Sequence, residues 1–404
     1  MRTLVIIIVL LLLLVGGVVA FLVLTTPDEA QLIRFPLSDV HQELLTRVPA
    51  SAEVVAIVAS PAVLHEALLE NPVTRDVVLQ WTAEHELPAP WMLGEAPIAM
   101  WKADGMTSYA VRLDPLRALF VRIWLMVSSN AHARWEGSTL IFNAPQPPAA
   151  RFDLNEVEAL GAPLPAGDAL VIQREPSRGA FPPIARPAVS SVRITGKEIV
   201  LISRAASDDA AVVREVQGAF PRGAILSAAF AAPPRILGDI NRLLGTRIDA
   251  LVDEGGSIAL YDVDTGTLLP RPRGVIVVPA DAHAREQFRQ ISEVAALVGE
   301  TRDTGEQLLV SFDRTSMGLY EKDAFVPAAW PANRWALRID PLRLIPVLRK
   351  VGDSRGVRFA APRLHRAARN LRGWIGALEK AESVEAADSV AAGVEELRVR
   401  IAAK

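Results

Sequence analysis

The sequence predicts an α+β fold: an N-terminal transmembrane helix, then two related halves of repeated strand–helix–strand–strand units with mainly antiparallel sheets. Three observations predict it. The chain opens on a long uncharged run, one twelve-residue phrase is written twice, and strand–proline–helix joints recur throughout the rest.

The opening run is Leu4 to Leu24, LVIIIVLLLLLVGGVVAFLVL. At about 1.5 Å per residue it reaches roughly 30 Å, the thickness of a bilayer core. Arg2 precedes it, and Asp28 and Glu29 follow. Positive charge favours the cytoplasmic side, so the expectation is a cytoplasmic N-terminus and an exported body. Abundant Ala, Arg and Pro suggest a bacterial source. Together these predict a single-pass inner-membrane protein with a periplasmic body, anchored by residues 1–26. The rival is a cleaved signal peptide, since Val18-Val19-Ala20 offers small residues to a peptidase. Four further apolar residues, Phe21 to Leu24, favour the uncleaved anchor.

The repeated phrase is YAVRLDPLRALF (Tyr109–Phe120) and WALRIDPLRLIP (Trp335–Pro346). Its first five residues alternate as a strand does. Asp340 is a helix-capping residue, and Pro341 suits the first helical position, where a missing N–H costs nothing. Leu342, Ile345 and Leu348 then follow at helical spacing. Asp114-Pro115 reads the same way, with Leu116, Leu119 and Ile123 on one face. The phrase predicts one strand-to-helix joint in each half.

Similar joints occur at Pro61, Pro176, Pro233 and Pro279. From Pro61 through Pro115, Pro176, Pro233 and Pro279 to Pro341, the five steps are 54, 61, 57, 46 and 62 residues, a rough internal period. Between joints, turn residues predict hairpins: Pro97–Lys102 with Thr107–Leu113, Arg134–Trp135 with Ser138–Phe142, and Val192–Ile194 with Glu198–Ile202. With 29 prolines in the chain, an ordinary mixed α+β fold is the alternative to a tandem repeat. Nine prolines between Pro145 and Pro187 mark a connection or a decorated unit. The domains expected are residues 27–208 and 209–404.

Composition narrows the chemistry. A net charge of −3 supplies no basic field for nucleic acid. The absence of cysteine excludes disulfides, thiolate metal sites and cysteine nucleophiles. There is no Gly-x-Ser-x-Gly elbow and no phosphate-binding glycine loop. No cofactor is expected.

Three stretches carry candidate sites. YDVDTGTLL places Asp262 and Asp264 two apart after an apolar strand, and resembles the nucleophile loop of haloacid-dehalogenase-like phosphatases. Thr265 is inserted before Gly266, and no downstream acidic pair for magnesium follows. Asp264-Thr265-Gly266 and Asp303-Thr304-Gly305 also resemble the paired triplets of aspartic proteases. The plainer reading is that Asp-Thr-Gly makes turns between strands. His65, followed by Glu66, and His85, flanked by Glu84 and Glu86, compose a conceivable metal site, against a solvated helix face. Finally, residues 334–372 hold eleven Lys or Arg against two acids, Asp340 and Asp353. Arg363, Arg366, Arg369 and Arg372 step by three along a predicted helix over 362–380. They are candidates for contact with an acidic partner or with lipid headgroups.

FPLSDVHQELLTRVP (Phe35–Pro49), EHEL (Glu84–Leu87) and APIAMWKADG (Ala96–Gly105) resemble the N-terminal part of an uncharacterised family. Its members are anchored proteobacterial envelope proteins encoded beside alpha-2-macroglobulin-like protease traps. Strand starts at Pro49-Ala50 and Pro165-Ala166 also resemble a second tandem-unit domain of exported bacterial proteins. Neither resemblance supplies catalytic residues. Together they imply an anchored binding or scaffold protein of the envelope, with a protease-trap macroglobulin among its candidate partners. The alternative is an envelope hydrolase or metal-dependent enzyme using Asp262 and Asp264, or His65 and His85.

Overall fold

The structure is a computed structural model. It describes residues 32–84, 96–103, 105–128, 133–143, 152, 157, 160, 164–173, 187–207, 216, 219–231, 255–266, 271–281, 284–286, 288–289, 299–311, 313–360 and 362–404. The described residues divide into two compact units. One ends at Glu70 and resumes over Val77–Gly196 and Ser203–Ala205. The other takes Asn71–Asp76, Lys197–Ile202 and Ala206–Lys404.

In the first part of the chain α1 (Asp39–Leu45) leads to β1 (Val54–Val58). Helices α2 (Pro61–Glu70) and α3 (Arg75–Glu84) follow, then the hairpin β2 (Ile98–Ala103) and β3 (Met106–Arg112). Helix α4 (Pro115–Ser128) precedes a second hairpin, β4 (Ala133–Glu136) and β5 (Thr139–Phe142). Next come β6 (Ala169–Gln173), β7 (Ala188–Ile194) and β8 (Glu198–Ala206). The β4–β5 turn has two residues, and Gly137 takes φ +63°, a left-handed conformation that glycine adopts without steric cost. β-Branched residues on β1 pair with both neighbours: Val55 lies opposite Trp101 on β2 and Ile172 on β6. Val111, Leu140, Ile98 and Val121 form the buried centre of this unit.

The second part begins with β9 (Ala219–Pro221), β10 (Leu226–Phe230) and the long hairpin β11 (Gly256–Asp264) and β12 (Arg271–Pro279). A third hairpin, β13 (Glu300–Asp303) and β14 (Gln307–Ser311), leads to α5 (Arg314–Lys322), β15 (Phe325–Pro327) and β16 (Trp335–Ile339). Helices α6 (Pro341–Asp353), α7 (Arg355–Ala360) and α8 (Pro362–Leu371) come next. A single 3-10 turn (Arg372–Trp374) and α9 (Ile375–Leu378) follow, and the chain closes on β17 (Ala381–Ala391) and β18 (Val394–Ala403).

β12 shows why this part needs no alternation in its central strands. Ile276 and Val278 face a cluster with Phe230, Leu308 and Val310, while Val275 and Val277 face Leu309 and Met317 of α5. Both faces are covered, so the strand reads as a continuous apolar run. Each such side chain contributes about 1.5–3 kcal/mol on burial.

The fold expected from the sequence is corrected on two counts. First, sheets assigned half by half give way to one large, mainly antiparallel sheet. Its order is β13-β14-β12-β11-β10-β16-β17-β18-β8-β7-β6-β1-β2-β3-β5-β4, with β15 and β9 paired separately. Local patterning marks strands and turns but not which strands pair at long range. Second, no helix among the described residues is long and apolar enough to cross a membrane. The uncharged run Leu4–Leu24 lies outside the described residues, and the transmembrane, signal-anchor and inner-membrane reading rests on its apolar length, its flanking charges and the composition. That reading is not retained.

Within the sheet, two successions of eight strands follow one rule: an outer hairpin, a second hairpin, two single strands, then a third hairpin. β4-β5-β3-β2-β1-β6-β7-β8 and β13-β14-β12-β11-β10-β16-β17-β18 both obey it. This order also shows where the two copies of the repeated phrase fall. β3, which carries its first copy, takes the place that β12 takes in the other succession. β16, which carries the second, corresponds to β6. The phrase encodes a local joint rather than equivalent positions. At both joints the aspartate caps the helix: Asp114 Oδ1 accepts from Arg117 N–H at 3.0 Å, and Asp340 Oδ1 from Arg343 N–H at 3.2 Å.

The outermost strands, β4 and β13, have four residues each and carry charged pairs. Glu136 meets Arg47 at 2.6 Å and Arg134 at 3.1 Å. Arg302 meets Glu300 at 3.0 Å and also pairs with Glu321.

Candidate functional site

The Asp262–Asp264 segment ends β11 at a bulge. The register shifts between Leu260 and Asp262, making Tyr261 the extra residue. A bulge re-aims a side chain, and Tyr261 O–H donates to Asp323 Oδ2 at 3.4 Å. Burial, followed by the nearby Asp323 carboxylate, pushes the Tyr261 phenol far above its ordinary value. Asp323 is held from another side by the Gly223 N–H at 2.7 Å, and Arg343 Nη1 donates to the Gly223 carbonyl.

Both candidate carboxylates are engaged. Asp262 lies 3.3 Å from Lys350 Nζ and accepts from Val263 N–H at 2.8 Å. Asp264 accepts from Gly266 N–H at 2.9 Å and lies 3.4 Å from Arg273. The Gly266 hydrogen bond, with Arg273 adding to it, holds the Asp264 carboxyl below its usual range. Asp303 accepts from Gly305 N–H at 2.7 Å in the same manner, and Gly305 takes φ +90°. In both Asp-Thr-Gly triplets the aspartate accepts from the glycine N–H two residues on, which is turn chemistry. Asp264 lies opposite Arg271 at the start of β12, whereas Asp303 lies opposite Leu308, beside the end of β12 at Pro279, so the two carboxylates do not form a paired site.

His65 lies on α2 and is half-buried. His85 falls outside the described residues. Among the described residues no group of three or more His, Cys, Asp or Glu could hold a metal ion.

The basic segment resolves into two parts with different roles. Arg372 is a brace. Its Nη2 lies 2.7 Å from Asp353 Oδ1 and 3.0 Å from the Arg349 carbonyl, across Gly352. A Cβ at Gly352 would come within 2.9 Å of that guanidinium, so glycine permits the approach. Beneath, Ala368 of α8 is buried with Val347, Leu348, Val351 and Val357, which packs α8 on α6 and α7.

The outward side of the same helices is open. Arg358, His365, Arg366, Arg369 and Asn370 line one cavity of ≈ 530 Å³. Arg358, Arg366 and Arg369 are exposed and have no ion-pair partner among the described residues. Residues 355–378 contain no Asp or Glu. Of the four arginines singled out by their spacing, Arg366 and Arg369 come together here, Arg372 is drawn away to Asp353, and Arg363 lies on α8. Sequence reasoning missed Arg358, His365 and Asn370. The signal was present for the last two: 365, 366, 369 and 370 fall at i, i+1, i+4 and i+5, one helical face. Arg358 comes from α7 and required the fold.

The apolar bed and the basic rim together define a sheet protein with a helical cap that presents an open cationic cavity. No protein-family profile, no curated protein and no solved structure matches this chain. The comparisons attach no family to it.

Proposed function

We propose that the chain is a binding protein, and that it engages an anionic partner at the cavity of α7 and α8. One observation carries this: three exposed arginines converge on a single cavity without a carboxylate among them. Like charges gathered this way repel and destabilise the apo protein. A complementary anion relieves that repulsion and forms charge-assisted hydrogen bonds. The hydrolase alternative draws no comparable support, because Asp262 and Asp264 are committed to Lys350, Arg273 and local N–H groups.

The test uses the full chain and poly-L-glutamate as the acidic probe, followed by titration calorimetry. Binding is expected, weakening as salt rises. It should be lost in the Arg366→Glu, Arg369→Glu double variant and kept in Arg289→Glu, which alters an exposed arginine elsewhere. Equal binding by all three proteins would overturn the reading.

A further inference from the structure

We infer that the anion recognised in this cavity is a phosphomonoester. The inference rests on the binding reading above and adds the chemical class of the ligand. Three features of the cavity select it. The first is charge density: Arg358, Arg366 and Arg369 place three permanent positive charges around ≈ 530 Å³. That volume suits a small ligand. A carboxylate would offset one of the three charges, whereas a phosphomonoester carries about −1.5 to −2 near neutrality on one compact group.

The second feature is donor geometry. Each guanidinium presents its N–H groups in a planar fork that grips two oxygens at once. Three forks match a group with three terminal oxygens better than a planar group with two. The three arginines also come from two helices: Arg358 from α7, Arg366 and Arg369 from α8. A tetrahedral anion accepts donors from several directions, while a flat carboxylate is met mainly in its own plane.

The third is the remainder of the lining. His365 and Asn370 sit beside the arginines. An amide offers both donors and acceptors, and an imidazole offers ring nitrogens. Neither adds a permanent charge. They suit the neutral, hydroxyl-bearing part of an ester rather than a second anion. The helices are fixed underneath by Ala368 in its apolar cluster and by the Arg372–Asp353 brace, so the arginines are presented on a rigid bed.

The experiment compares phenyl phosphate with phenyl sulfate, acetate and poly-L-glutamate, titrated into the full chain by calorimetry. Phenyl sulfate has the same ring and a tetrahedral anion but only one negative charge. We expect phenyl phosphate to bind at least about tenfold more tightly than phenyl sulfate, a difference of roughly 1.4 kcal/mol. Arg358→Gln, Arg366→Gln and Arg369→Gln should each weaken it about tenfold with no fall in unfolding temperature, since each also relieves repulsion among the three. Equal affinity for phosphate and sulfate would overturn the inference. So would binding of poly-L-glutamate without phenyl phosphate, which leaves the anion-binding reading standing. Failure of every probe overturns both. Vesicles containing phosphatidic acid separate two sources of the same group. Flotation with them, competed by phenyl phosphate, assigns the ligand to a lipid headgroup; binding of phenyl phosphate without flotation assigns it to a soluble ester. Either supports the inference.

Discussion

Arg338 and Glu385 stand directly opposite each other on β16 and β17, with Nη1 2.5 Å from Oε1. Glu385 is 8% exposed. On its other side Glu385 faces Arg400 of β18, whose Nε lies 2.8 Å from Glu198 of β8. Positive and negative charge alternate across four neighbouring strands. Such a row fixes register, because a slip by one residue would send every charge to the opposite face.

Removing one member of the row should cost more than removing two. Glu385→Ala leaves the Arg338 guanidinium largely enclosed without its carboxylate. It is expected to lower unfolding free energy by about 3 kcal/mol, the range for breaking a largely buried pair. The double variant Arg338→Met, Glu385→Leu should lose much less. Urea denaturation of both proteins reads the comparison, and equal losses would contradict it.

Gly274 of β12 lies at the β11 bulge, where a Cβ would meet the Ala259 main-chain oxygen at 2.4 Å. Main chain in a central strand cannot step aside cheaply. Gly274→Ala should destabilise the protein by about 1–3 kcal/mol, measured by the shift in denaturation midpoint. Gly266→Ala, which would meet only the Asp264 side-chain oxygen at 3.3 Å, is the milder comparison.

Asp313 caps α5, accepting from Thr315 N–H at 2.9 Å and Ser316 N–H at 3.0 Å. Burial pulls its carboxyl upward, but the hydrogen bonds from Ser316 and Thr315 outweigh it, and the net displacement is downward. A group whose folded value lies below its unfolded value stabilises above the unfolded value. That contribution fades as pH falls through the folded value. Asp313→Ala should therefore cost about 1 kcal/mol near neutrality. The gap between the two proteins should close in acid, as seen in denaturation midpoints taken from pH 7 downward.

The chain has three tyrosines, Tyr109, Tyr261 and Tyr320, and burial raises all three. Raised folded values stabilise the native state below the ordinary phenol range. The benefit is lost as pH climbs through the folded values. Absorbance at 295 nm should show no phenolate forming at the ordinary pH of about 10. The signal should instead appear together with alkaline unfolding, followed by circular dichroism. A smooth early titration would contradict the burial.

Asp264→Asn should leave the unfolding midpoint where it is. An amide oxygen can accept from Gly266 N–H as the carboxylate does, and Asn is itself a turn residue. A lowered midpoint would mean that the Arg273 pair contributes more than an exposed pair ordinarily does.

Much of the local architecture was legible in the residues. Asp114-Pro115 and Asp340-Pro341 announce capped helices, Gly137 announces a two-residue turn, and the apolar run before Pro279 announces a strand. α4 shows where patterning fails. Its sequence is apolar almost all round, so spacing grouped Leu119 and Ile123 on one face without saying whether that face turns inward. The structure exposes both and buries Val121 instead. When every face is greasy, the helical period has no contrast to report. Long-range pairing was illegible for a different reason. That β10 lies between β11 and β16 depends on strands far apart in sequence, and each strand alone would pair as well elsewhere. The cationic cavity was half legible. Arginine spacing marked α8, but Arg358 arrives from another helix, and Arg372 is diverted by an aspartate nineteen positions earlier in the chain.

The two outermost strands bear on how this protein behaves in company. An exposed sheet rim offers a row of unpaired main-chain groups on which a second copy can crystallise its own strand. Here each rim is short and laced with ions. A newcomer beside β4 would have to crowd Glu136 away from Arg47 and Arg134, and one beside β13 would disturb the Glu300–Arg302–Glu321 cluster. The sheet thus carries its own stop signals at β4 and β13, where ion pairs stand in the way of a strand added from another copy.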